Sequence, residues 1–160
     1  MVSIGFEKHD HAVCVSDALS AAEQYCAAHK LQLTKVRHRV LEILLGQHRA
    51  MGAYEILDQL SAEGMGSQPP VAYRALDFLV SNGFAHKVEK LNAYIACSYP
   101  GEVHSPAFMI CRACGAVVEA QSRVATGTLG DAAEALGFQI EKTVVEAEGL
   151  CPVCKSEDAP

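Results

Sequence analysis

PPVAYRALDFLVSNG, residues 69–83, followed by FAHKV (84–88) and AYIAC (93–97), is the stretch that decides the fold. Pro69 and Pro70 break the preceding chain and pre-set the first turn of a helix, expected over residues 70–82 and stopped at Gly83. Ala72, Ala75, Leu76 and Leu79 recur at helical spacing and form its buried stripe. Tyr73, Arg74 and Asp77 fall off that stripe and face outward. FAHKV and AYIAC read as short β runs joined through Leu91-Asn92 as a hairpin. Upstream, Ser16 caps a helix expected over 17–29, with Leu19, Ala22, Cys26 and His29 on one stripe. Thr34 caps a second over 35–46, with Val36, Val40, Ile43 and Leu44 inward and Gly46 at its end. A third, over 53–63, turns Ile56, Leu57 and Leu60 inward and stops at Gly64. Four helices and then a hairpin make a winged helix-turn-helix pattern. In that pattern the helix before the hairpin enters the DNA major groove.

Beyond the linker-like SYPGE (98–102) the pattern changes to α/β. Residues 108–111 and 116–120 are apolar strands, 123–136 a helix with Leu129, Ala132, Ala133 and Leu136 on one stripe, and 138–147 a β run whose alternation slips near Lys142-Thr143. The expected class is therefore α+β. A flexible tail spans residues 1–15, a winged-helix DNA-binding domain 16–97, a hinge linker 98–105, and a small α/β dimerisation domain 106–160. A domain of about 55 residues is marginal alone. Its sheet has open edges, and pairing with a second copy covers one, which favours a homodimer.

Two Cys-x-x-Cys pairs, Cys111/Cys114 and Cys151/Cys154, lie inside that second domain. Two residues between thiolates let both sulfurs point at one ion from a single turn. Two such turns complete a tetrahedral four-sulfur shell, which suits Zn²⁺. The gap between the pairs exceeds that of a compact zinc ribbon, so the ion clips a domain together. The alternative is a pair of redox dithiols or disulfides, used by a thiol switch or enzyme; Gly115 and Pro152 favour turns without excluding it.

Composition narrows the function. The chain has 160 residues, half of them hydrophobic, and a formal net charge of −6, which argues against indiscriminate nucleic-acid binding. Residues 1–100 carry nine Lys/Arg against ten Asp/Glu, a net of −1, and residues 101–160 four against nine, a net of −5. Lys30, Lys35, Arg37, Arg39 and Arg49 form the one basic cluster. No apolar run approaches the 18 residues or so of a membrane helix, and the first residues lack the order of a signal peptide. The expectation is a cytoplasmic protein with no membrane partner, whose seven cysteines bind metal or pack rather than form disulfides. No Cys-His pair sits in a motif with an orienting acid and an oxyanion-hole loop, so a nucleophilic enzyme is not expected.

Other ligand-type residues gather around the linker: His86 and Cys97 on the two arms of the hairpin, His104 after the linker, and Glu119 beyond the first Cys pair. They read as one site straddling both domains, whose sulfur and imidazoles favour zinc over iron or manganese. The plainer reading is a solvated His86, His104 and Glu119 with Cys97 in the core. His9, His11 and Cys14 make a third scattered group.

YRALDFL (73–79), GFAHKVE (83–89) and FMICRACGAV (108–117), with Leu33-Thr34 and Arg37, Ala53-Tyr54 and EAEGLC (146–151), resemble the ferric uptake regulator family, and within it most the zinc uptake regulators. The resemblance runs from about residue 18 to 155. It implies an N-terminal winged-helix DNA reader, a C-terminal dimerisation domain and a structural zinc at Cys111, Cys114, Cys151 and Cys154. It also implies a regulatory zinc at His86, Cys97, His104 and Glu119, hence two zinc ions per chain. The implied function is a homodimeric, zinc-responsive repressor of zinc uptake genes that binds palindromic operator DNA; an iron-responsive regulator is the rival within the family. Arg74 is the expected base contact, with Tyr73, Tyr54 and Arg37 nearby at bases or phosphates. Lys35 stands where the family usually has proline and adds a phosphate contact. The run 70–72 lacks the usual threonine before Tyr73-Arg74.

Overall fold

The computed structural model describes Phe6 and residues 11–157. They fall into two compact units, Glu7–Gly101 and Glu102–Pro160, with Phe6 belonging to the second. Among the described residues no helix is long and apolar enough to cross a membrane.

The first unit contains α1 (His11–Ala28), α2 (Lys35–Leu45), α3 (Ala53–Ala62), α4 (Pro69–Ser81), β1 (Ala85–Val88) and β2 (Ala93–Ala96). Thr34 caps α2 by accepting the Arg37 N–H at 3.3 Å. Gly52 and Glu55 open α3, the Gly52 N–H donating to the Glu55 carboxylate at 3.1 Å, half of a capping box. Pro69 and Pro70 occupy the first helical positions of α4, where a missing N–H leaves no bond unmade. The four helices close on a core that includes Val40, Leu44, Ile56, Leu60, Leu76 and Leu79, all buried.

Antiparallel β1 and β2 pair Ala85 with Ala96 and His86 with Ile95. A 3₁₀ turn at Glu89–Leu91 and a left-handed Asn92 (φ 46°) join them. Asn tolerates that conformation better than most residues. Met51 adds a bridge to Tyr94 through two 2.8 Å backbone bonds, giving the wing a third chain that sequence periodicity missed.

The helix expected from residue 17 begins at His11. Ser16 therefore lies inside it, and residues 11–15 are helical rather than tail. Nothing over His11–Val15 breaks a helix, so a potential cap in mid-chain does not start one. His29, expected on the buried stripe, is exposed beyond the end of α1 and stacks on Tyr25 at 4.0 Å. Tyr25 in turn meets Phe84 edge-on at 5.3 Å.

The second unit contains β3 (Pro106–Cys111), β4 (Val117–Gln121), α5 (Thr128–Ala135), β5 (Val145–Gly149) and α6 (Pro152–Glu157). Its sheet order is β4-β3-β5, with β3 antiparallel to β4 and parallel to β5. The helix expected over 123–136 is divided: a 3₁₀ turn at Val124–Thr126, an extended Gly127 (ψ −142°), then α5. Gly130 packs directly on the Ala125 carbonyl, where a Cβ would collide, so the two pieces fit together only with glycine there. The strand expected over 138–147 starts at Val145, because only Val145–Gly149 finds a ladder partner on β3. α6, not expected, starts at Pro152, directly after Cys151.

Candidate metal centres and nucleic-acid interface

Parallel pairing explains the four-cysteine cluster. The register sets Ile110 beside Glu148 and Cys111 beside Gly149, so both Cys-x-x-Cys turns leave the sheet at the same end. The first turn closes through the Gly115 N–H on the Cys111 carbonyl at 2.9 Å, with Gly115 at φ 75°, a conformation glycine adopts without steric penalty. The Arg112 N–H donates to the Gly149 carbonyl at 2.9 Å and ties the two turns together. The second turn runs into α6. All four sulfurs lie within 4.8 Å of one another.

Backbone amides already serve these sulfurs. The Cys151 N–H donates to Cys111 Sγ at 3.3 Å and the Cys154 N–H to Cys151 Sγ at 3.5 Å. The Cys114 and Cys151 sulfurs are 3.9 Å apart. Backbone donors, that of Cys114 first and Cys151 next, pull the Cys111 thiol down to about 6, favouring a thiolate. Cys154 is pushed up to about 12, chiefly by its hydrogen bond with Cys151 and then by burial. Four thiols this close cannot all carry charge unaided; a dication lets all four ionise and suits their tetrahedral count. The donor set thus fits zinc.

The second constellation divides between the units. In the first, Cys97 follows β2 and its N–H donates to the Phe84 carbonyl at 2.9 Å. That continues the register, placing Cys97 two residues beyond the partner of His86. Period-two alternation puts both side chains on one face, and their donor atoms lie within 4.8 Å of each other. In the second unit, His104 Nε2 is 2.7 Å from Glu119 Oε1, and both side chains are buried. His104 Nδ1 lies 2.8 Å from the Glu102 carbonyl. The Glu102 carbonyl orients the ring in the way a carbonyl behind a metal-bound histidine does; sequence gave no signal for it. Of the third group, His9 lies outside the described residues, as does the side chain of His11, and Cys14 is exposed on α1.

On the first unit, α4 buries Ala72, Ala75, Leu76 and Leu79 and leaves Arg74 exposed beside Tyr73. Tyr54, in the first turn of α3, is 64% exposed, and Lys35 stands exposed at the start of α2. The basic cluster is smaller than its sequence. Arg39 binds Glu42 and Glu63, each at 2.7 Å, and Arg49 binds Glu55 at 2.8 Å. The Arg37 guanidinium donates to the Gln32 carbonyl at 2.6 Å and lies 3.9 Å over the Phe78 ring.

The ferric uptake regulator family model matches residues 28–148. The chain belongs to that family. It is similar to the zinc uptake regulation protein of Escherichia coli, with 38% identity over 144 residues, 89% of this chain and 84% of that protein. Among solved structures it resembles a zinc uptake regulator complexed with zinc and DNA (37% identity, TM-score 0.85, 91% of this chain and 98% of that one). It also resembles holo XcZur (40% identity, TM-score 0.76, 86% and 96%). Members of this family regulate transcription and are not enzymes, which disposes of the thiol-enzyme alternative.

Proposed function

We propose that this protein is a zinc-responsive transcriptional repressor that binds a palindromic operator as a homodimer and controls zinc uptake genes in the cytoplasm. The observation that carries the reading is the pairing of soft donors with two distinct settings. One is a four-thiolate cluster inside the second unit; the other is a pair of half-sites, His86 with Cys97 and His104 with Glu119, one in each unit. A closed four-sulfur shell is a structural zinc site. Two half-sites on either side of the Gly101–Glu102 boundary are what a sensor needs, because one ion taken by all four residues ties together units that otherwise reorient. Each chain then holds two zinc ions. The thiolate of Cys97 favours zinc over iron in the second, in keeping with the zinc uptake regulators this chain resembles.

Arg74 is the base contact, bidentate to guanine in the major groove. Tyr73, Tyr54 and Lys35 lie toward bases and phosphates beside it. Dimerisation runs through the second unit, where Leu129, Leu136, Phe138 and Val144 are exposed apolar residues and line one groove with Ala133 and Ile140; an apolar surface of this kind marks an association face. Zinc at the half-sites favours the DNA-competent arrangement, and DNA must then tighten zinc by the same factor, about 5- to 150-fold.

The test is zinc per chain and operator affinity, with and without excess zinc, for wild type and Cys97→Ser. The variant keeps its fold, its dimer and one zinc, and loses the second zinc and the zinc response. A variant that still responds to zinc like wild type refutes the assignment and directs attention to His9, His11 and Cys14.

A further inference from the structure

Arg37 occupies an electrostatically awkward place. It is in the first turn of α2, where exposed N–H groups make the local field positive and a cation is disfavoured. Two groups offset that. The Gln32 carbonyl, in the segment before the helix, accepts from its guanidinium at 2.6 Å. The face of the Phe78 ring lies 3.9 Å from the guanidinium carbon. The same cation partly offsets the upward push of burial on the Cys26 thiol of α1. One planar group therefore joins the chain before α2, the start of α2, and α4. Phe78 is one turn along α4 from Arg74, the proposed base contact. Its ring is half-buried and belongs to the partly buried residues packed on the core.

We propose that Arg37 is a positioning residue: through the ring of Phe78 it sets the angle at which α4 presents Arg74 to the bases, and it is not a phosphate contact. This rests on the operator-binding reading above. A guanidinium can stack on a ring and donate in its own plane at once; an ammonium cannot do both. The role therefore requires the shape of arginine as well as its charge.

The experiment uses the full-length zinc-loaded protein, a duplex selected from random sequence by the wild type, and an unrelated duplex of equal length. Affinities are measured over a range of salt for Arg37→Lys, Arg37→Gln, Phe78→Leu and Arg37→Gln/Phe78→Leu. Arg37→Lys and Arg37→Gln are expected to weaken the selected duplex alike, by about 5- to 30-fold. The salt slope stays that of wild type, and the ratio of selected to unrelated affinity falls. Phe78→Leu gives a similar loss, and the double variant adds little to it. A merely structural role lowers the melting temperature without moving that ratio. The proposal is overturned if Arg37→Lys binds like wild type while Arg37→Gln reduces the salt slope by about 0.9, the mark of one phosphate contact, or if the two losses are additive. A wild type that selects no duplex removes the operator-binding reading itself, and this proposal with it; that outcome is distinct from the other two.

Discussion

Replacing Cys111 with serine tests the structural centre most directly. Cys111 ends β3, the central strand of the β4-β3-β5 sheet, and its sulfur accepts the Cys151 N–H at 3.3 Å, so it touches both halves of the four-thiol cluster. Structural zinc sites bind with about 10–16 kcal/mol. Shared over four ligands, that is about 3 kcal/mol for one, or a loosening of zinc on the order of 100-fold. Among the described residues the second unit buries few apolar side chains, Phe108, Ile110 and Val117 being the largest. Most of the energy lost with the ion is thus energy of folding. The main core of the first unit contains none of these residues, so its melting does not move. The assay is scanning calorimetry together with zinc per chain after dialysis against graded chelator, with Cys14→Ser as control, since Cys14 lies exposed on α1. We expect an early transition for the second unit, an unchanged later one, and zinc lost at chelator strengths the wild type resists. Zinc held as tightly as in wild type, or two transitions falling together, refutes the assignment.

Arg74→Ala should weaken operator binding by about 1–3 kcal/mol and relax selectivity at one position per half-site, whereas Lys35→Ala should weaken all sequences equally and lower the salt slope; identical behaviour of the two undoes their separate roles. Leu136→Asp with Phe138→Asp should convert the dimer to monomer at micromolar concentration in sedimentation runs, and a persistent dimer places the interface elsewhere. Glu55 is held below its ordinary value of 4.5 by the Arg49 guanidinium first and by the Gly52 N–H next. A depressed folded value means stability that is fully present above 4.5 and lost as pH falls through the lower one. Glu55 is half-exposed, so Glu55→Gln should cost only about 0.5 kcal/mol at pH 7 by urea unfolding, a difference that shrinks as pH falls below 4.5; a difference that does not shrink means the pair contributes nothing through charge.

Local chemistry was legible in the sequence. The α2 and α4 boundaries fall within a residue of expectation because caps and breakers, Thr34, Gly46, Pro69 and Gly83, act on their own neighbours. The closeness of the sulfurs within each pair was legible too, since Cys-x-x-Cys spacing is a property of one turn. Long-range pairing was not. Residues 138–147 carry strand-like composition throughout, yet only Val145–Gly149 meets β3, and a ladder needs a partner that composition does not name. That same parallel register brings the two cysteine turns to one end of the sheet. The fates of the arginines were also decided in three dimensions. Arg37, Arg39 and Arg49 read alike as a basic cluster, but Glu63 and Glu55 neutralise two of them and Phe78, far along the chain, claims the third. Charge and period are carried by each residue alone, whereas a charge's availability depends on which distant acid or ring the fold places beside it.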